Sequence, residues 1–157
     1  MTRIASWKWS CGMLVVAALL LPTAGCGGGN NPDDMISNAN ATNLHRLCNL
    51  YVLYQTRNGW QGPQDEATFK EFIDSQADRI LKRMGVEPGN VAAIFTSERD
   101  SEPYVIRWGL PGNPRGEPVP IVFEKTGVDG MRMVGFNQPQ HREVDDAEYQ
   151  QLMSSGS

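Results

Sequence analysis

Few residues in this sequence are of types that do chemistry, and they are scattered. Cysteines stand at 11, 26 and 48, and histidines at 45 and 141. His45 falls in a helical stretch and His141 in a polar one. The zinc pattern H-E-x-x-H does not occur, nor does the nucleophile elbow G-x-S-x-G. Thr96, Ser97 and Ser101 have no histidine near them in sequence. Gly27-Gly28-Gly29 follows no strand, and residues 109–116 hold two prolines and no G-K-[ST], so neither run suits a phosphate. Glu143, Asp145, Asp146 and Glu148 lack the glycine and alternating oxygen ligands of a calcium loop and read as a solvated helix start. Glu98, Glu102 and Glu124 sit at expected strand ends and could pair as general acid and base. No catalytic residue, metal or cofactor is therefore expected, and the leading expectation is a protein that is not an enzyme. The alternative is an envelope enzyme or enzyme accessory with a site near the strand ends and loops of residues 98–124, where a pocket joining these glutamates to His141 would favour it.

Two tryptophans are better placed for binding. Trp60 lies in the loop Asn58-Gly59-Trp60-Gln61-Gly62-Pro63, and Trp108 ends an expected strand beside a Gly/Pro loop. A loop aromatic serves either as an anchor for a partner or as a lid over the core. Both are candidate partner contacts.

The cysteine at 26 has the most informative context. Arg3 and Lys8 precede an unbroken apolar run over residues 13–21, and small residues follow it. A basic start, a short apolar run and a small-residue end make up a secretory signal. The run is too short for a membrane-spanning helix, which needs about 20 apolar residues. Its end, Thr23-Ala24-Gly25-Cys26, resembles the lipobox of bacterial lipoproteins, with Thr23 departing from the commoner leucine. The resemblance implies cleavage before Cys26, a thioether-linked diacylglycerol on its sulfur and an acyl group, such as palmitate, on the freed amine. Several chains together anchor stably, each buried methylene contributing about 0.8 kcal/mol. The whole chain also resembles small uncharacterised envelope lipoproteins. The implied location is the bacterial cell envelope, held to the membrane through the lipid on Cys26 and facing the periplasm or the exterior.

Cleavage there would leave 132 of the 157 residues, with net charge −6 in place of −4, because the removed segment carries two basic residues and no acid. An acidic chain of this kind argues against non-specific nucleic-acid binding, which depends on a basic footprint, and no nucleic-acid partner is expected. Cys48 then has no disulfide partner. Its neighbours Leu44, Leu47 and Tyr51 share its helical face, so it reads as a small buried apolar residue.

The elements that must position these residues follow from periodicity. Residues 27–40, rich in Gly and Asn, offer no apolar face and read as a flexible tether. Leu44, Leu47, Tyr51 and Tyr54 predict a helix over 43–58, stopped by Asn58-Gly59. Phe69, Phe72, Ile73, Ile80, Leu81 and Met84 predict a second over 65–84, with Asp65 as its N-cap and Gly85 as its stop. Short β-branched or aromatic runs then predict strands over 91–96, 104–108, 119–124 and 131–136. Tyr104, Ile106 and Trp108 should share one strand face, and Asp129-Gly130 suits a hairpin turn. The expected fold is α+β, with two N-terminal helices packed on one face of a four-stranded antiparallel meander. The expected division is residues 1–25 as signal, 26–40 as lipidated cysteine and tether, 41–137 as the domain and 138–157 as a polar tail with a short helix over 145–153.

Asn43-Leu44, Leu47, Tyr51, Tyr54, Gly59 and Pro63 also resemble the region just after the membrane helix in type II secretion pseudopilins and related pilin-like proteins. That resemblance implies a tyrosine-rich helix, a Gly/Pro break and a small antiparallel sheet. The chain departs from the family by carrying a lipid signal where a pilin has its long apolar helix. It would be a pilin-type head on a leash rather than a filament subunit. The anchor, the tether and the lack of a reactive cluster make the leading expectation a module that binds or organises another envelope component, such as an envelope protein.

Overall fold

The computed structural model describes residues 40–112 and 115–155. The signal segment, Cys26 and all but the last residue of the expected tether lie outside them.

Helix α1 (Asn43–Arg57) is the spine of the fold. The Thr42 hydroxyl accepts the His45 N–H at its start, and Arg57 complements the dipole at its end. Leu44, Leu47, Leu50 and Tyr51 are buried along one stripe.

The expected second helix is two helices, α2 (Glu66–Asp74) and α3 (Asp78–Arg83). Polar side chains replace the helical hydrogen bonds at the junction. The Ser75 hydroxyl and the Gln76 amide both donate to the Phe72 carbonyl, at 2.7 and 2.6 Å, and Ala77 turns extended at ψ 138°. Ile73 and Ile80 are seven residues apart, a spacing an unbroken helix would also satisfy, so the apolar pattern conceals the break.

The expected first strand, residues 91–96, is instead a 3-10 helix, Val91–Phe95. Val91, Ile94 and Phe95 are buried while Ala92 and Ala93 are exposed. That is a helical spacing, since a strand would have put 91, 93 and 95 on one face.

Four strands follow: β1 (Val105–Ile106), β2 (Pro120–Phe123), β3 (Arg132–Phe136) and β4 (His141–Val144). They pair in chain order as an antiparallel meander. Residues 127–130 turn the chain between β2 and β3, with Asp129 and Gly130 at positive φ. The fourth strand is thus drawn from the expected polar tail, and helix α4 (Asp146–Ser154) follows it, capped by the Asp145 carboxylate.

The fold is α+β. Ile106, Ile121 and Val122 join α1, α2, α3 and the 3-10 helix in the larger core, with Tyr104 and Trp108 packed at its margin. The expectation of a sheet covered on one face only is corrected by α4. Phe123, Val134 and Phe136 turn to the opposite face, where Val144 and Tyr149 cover them. Among the described residues no helix is long and apolar enough to cross a membrane.

Candidate functional site

The end of α1 sets Trp60. Asn58 closes the helix, its N–H bonding the carbonyls of Tyr54 and Gln55. Gly59 and Trp60 then both take left-handed backbone, at φ 62° and 65°. This lets the Trp60 N–H reach back to the Gln55 carbonyl at 2.7 Å, the six-residue closure of a Schellman end. Glycine adopts that conformation freely, whereas a bulky residue there costs on the order of 1–3 kcal/mol. Neighbouring contacts enforce it. The Trp60 carbonyl accepts the Gly112 N–H at 2.6 Å, Gln61 bridges to Pro111, and the Gly62 N–H donates to Leu110 at 2.9 Å. The indole rests on Gly112, where an added Cβ would lie 2.9 Å from Trp60 Cε3. With its backbone so held, Trp60 remains 40% exposed.

Beside the ring is a cleft of about 270 Å³. Asn49, Val52 and Gln55 of α1 form one wall, and Asn137, Gln138 and Pro139 from the β3–β4 turn form the other. None of these carries charge. Gln55 is 1% exposed, and its Nε2 donates to the Leu110 carbonyl at 3.0 Å. Asn137 is 7% exposed; its Oδ1 accepts the Val119 N–H at 2.8 Å. Among the described residues no hydrogen bond engages Gln55 Oε1 or Asn137 Nδ2. Gln138 is anchored through its Nε2 to the Gly116 carbonyl at 2.9 Å. The walls thus combine an aromatic face with a near-buried acceptor and donor that the fold leaves open.

A second, smaller cavity of about 120 Å³ gathers His45, His141, Glu98 and Glu124, with Arg99 and Tyr104 among its walls. His45 Nε2 and His141 Nδ1 are 2.8 Å apart, so one ring nitrogen carries the proton that the other accepts. Burial depresses the His45 pKa, His141 and Arg46 depress it further, and Glu98 opposes them. Glu124 is 1% exposed and fully engaged, accepting the Ser97 hydroxyl at 3.0 Å and the Met133 N–H at 2.7 Å, with Arg99 3.6 Å away. Glu98 accepts the first N–H of α1, from Asn43, at 2.8 Å. Glu102 is elsewhere, paired with Lys125 at 3.0 Å. The structure therefore brings Glu98, Glu124 and His141 together and leaves Glu102 out. The link from His45 to His141 spans 96 residues and carries no sequence signal.

The remaining candidates have structural surroundings. Trp108 stands edge-on to Phe69, ring centroids 6.1 Å apart, and packs against the larger core. Cys48 is buried and free, its thiol pKa pushed up by burial, with its sulfur against Gly135. In the acidic stretch, Glu143 pairs with Arg99, Asp146 with Arg132 and Glu148 with Arg142, while Asp145 caps α4. Among the described residues no group of three or more His, Cys, Asp or Glu is arranged to hold a metal ion. Cys26 lies outside the described residues. The amides of the Trp60 cleft were not singled out from sequence, since residues from Gln138 onward read there only as a polar tail. Comparison of the chain with protein-family models, with curated proteins and with solved structures finds no match in any of the three.

Proposed function

We propose that the protein is a lipid-anchored component of the bacterial cell envelope whose α+β domain is a non-enzymatic binding module. In this reading a signal peptide is removed before Cys26, and a tether joins the lipidated cysteine to helices packed on a four-stranded meander. The head binds another envelope component through Trp60. The observation that carries the binding role is Trp60 itself, held at φ 65° and 40% exposed beside an uncharged cleft. Positive φ at a bulky residue costs free energy that neighbouring contacts must offset, and such outliers cluster at ligand sites. The pilin-like resemblance is compatible with this reading through its helix and Gly/Pro break but does not carry it.

The anchor has a direct test. Cys26→Ser removes the sulfur that would take the diacylglycerol, so the full-length precursor should accumulate uncleaved and fail to incorporate labelled palmitate. A mutant processed, labelled and fractionated like the wild type would refute the anchor.

The reading as an envelope enzyme draws on the cavity that joins His45, His141, Glu98 and Glu124. Two features weigh against it. The cavity is well below the roughly 300–1,000 Å³ of small-molecule sites. Both Glu124 oxygens and the Glu98 Oε1 already accept hydrogen bonds that hold the fold. The Trp60 cleft supports binding more strongly than this cavity supports turnover.

A further inference from the structure

We propose that the Trp60 cleft binds a neutral saccharide, one sugar ring lying on the indole with its hydroxyls on the wall amides. This rests on the Trp60 cleft as the binding site and adds the class of ligand.

The chemistry of the walls selects the class. A pyranose has an apolar C–H face and a rim of hydroxyls, each both donor and acceptor. An indole face is flat, apolar and electron-rich, and it suits the first. A carboxamide offers an acceptor oxygen and a two-proton donor at fixed separation, and it suits the second. Here the acceptor Gln55 Oε1 and the donor Asn137 Nδ2 are both open, on side chains 1% and 7% exposed. Neither atom is among the side-chain atoms sealed from solvent without a partner, so a ligand hydroxyl would take the place of water on each.

Other ligand classes fit less well. A phosphate or carboxylate would meet no cation among the wall residues, and a cationic group would meet no acid. An apolar side chain from a protein partner could cover Trp60, but it would seal both amides away from water without a partner. The volume of about 270 Å³ lies just below the roughly 300–1,000 Å³ of small-molecule sites. That is room for a single ring, with further units of a chain continuing into solvent.

The test is calorimetric titration of the full chain, purified in a sugar-free zwitterionic detergent. The probes are neutral oligosaccharides (N-acetylchitotetraose, cellotetraose and maltotetraose), with inorganic phosphate as the charged control. At least one neutral oligosaccharide should bind with a dissociation constant on the order of 1 mM or tighter. Its affinity should be the same at low and high salt, because none of the described wall residues is charged. Trp60→Ala should weaken it at least about tenfold, as expected for an aromatic anchor, and Trp60→Phe should restore most of the loss. Val52→Phe, which fills the cleft from the helix side, should abolish binding while leaving the loop intact. Melting temperatures measured alongside separate lost binding from lost folding. Binding that survives both Trp60→Ala and Val52→Phe would overturn the assignment to this cleft. If none of the neutral sugars binds, a photo-crosslinker at position 52 in native membranes separates the two levels. Trp60-dependent capture of a protein would overturn the saccharide and keep the binding module, and no capture would overturn both.

Discussion

His45 and His141 join α1 to β4 through one shared proton, and that bond is a place where pH reaches the fold. Burial, His141 and Arg46 hold the His45 pKa below its ordinary value near 6.5, against the pull of Glu98. Facing the same cavity are Glu124 and Arg99, already paired with each other, and Tyr104, whose own pKa is raised by burial. The folded state therefore takes up a proton at His45 less readily than the unfolded chain does. Its stabilising contribution is complete above the ordinary histidine value and is lost as pH falls from there through the depressed one. Thermal unfolding followed across that window should show the melting temperature dropping as the solution is acidified. His45→Gln should flatten this slope while leaving the stability at alkaline pH nearly unchanged. A wild-type curve that is flat through the histidine range would refute the argument. No pattern in the sequence announces this pair, because His141 sits on a strand that exposes three of its four residues and so shows no apolar alternation.

Between α1 and the sheet, one close approach is made at a glycine. Gly135 of β3 faces α1, and a Cβ there would collide with Cys48 Sγ and stand 2.9 Å from Leu44 Cδ2. Both neighbours are buried, so neither can move aside freely. Gly135→Ala should cost about 1–3 kcal/mol, the usual effect of overpacking a tight core, as measured by urea unfolding. Adding Cys48→Ala makes room for the new methyl, so the double mutant should recover part of that loss, and strictly additive effects would show that the two sites do not touch. Elements of this kind were legible from sequence to differing degrees. Helix α1 declares itself because its apolar residues repeat at helical spacing over four turns and a Gly follows. The turn at 127–130 and the split of Tyr104, Ile106 and Trp108 from Val105 and Arg107 were equally readable, and the two cores divide them that way. The break at residues 75–77 was not, since apolar periodicity runs across it. Nor was the 3-10 helix, whose short apolar run has the composition of a strand.

Across the molecule as a whole, the largest difference between pattern and structure is the role of residues 141–154. They read as a polar tail because β4 pairs through its backbone and α4 turns only a few apolar residues inward. In the fold they close the second core: Val144 and Tyr149 cover Phe123, Val134 and Phe136, with Leu152 and Met153 packed alongside. Two arginines fasten the cover. Arg132 lies over the Tyr149 ring, 4.4 Å from its centroid, and pairs with Asp146 at 2.7 Å. Arg107 donates to the carbonyls of Ser155 and Met153, at 2.6 and 3.1 Å, where the end of α4 favours a cation. A chain ending at Gln140 would lose Val144 and Tyr149 and open the face of Phe123, Val134 and Phe136. Each such side chain contributes about 1.5–3 kcal/mol when fully buried, and the whole stability of a domain is about 5–15 kcal/mol. The truncated chain should therefore lose its single cooperative urea transition and expose apolar surface to a hydrophobic dye. Arg107→Ala is the milder version of the same change: global stability should fall by about 1 kcal/mol, within the usual range for lost hydrogen bonds, while α4 amides exchange faster than those of α1. A truncated chain with the wild-type transition midpoint would show that the tail is an appendage after all, and that the second core holds without it.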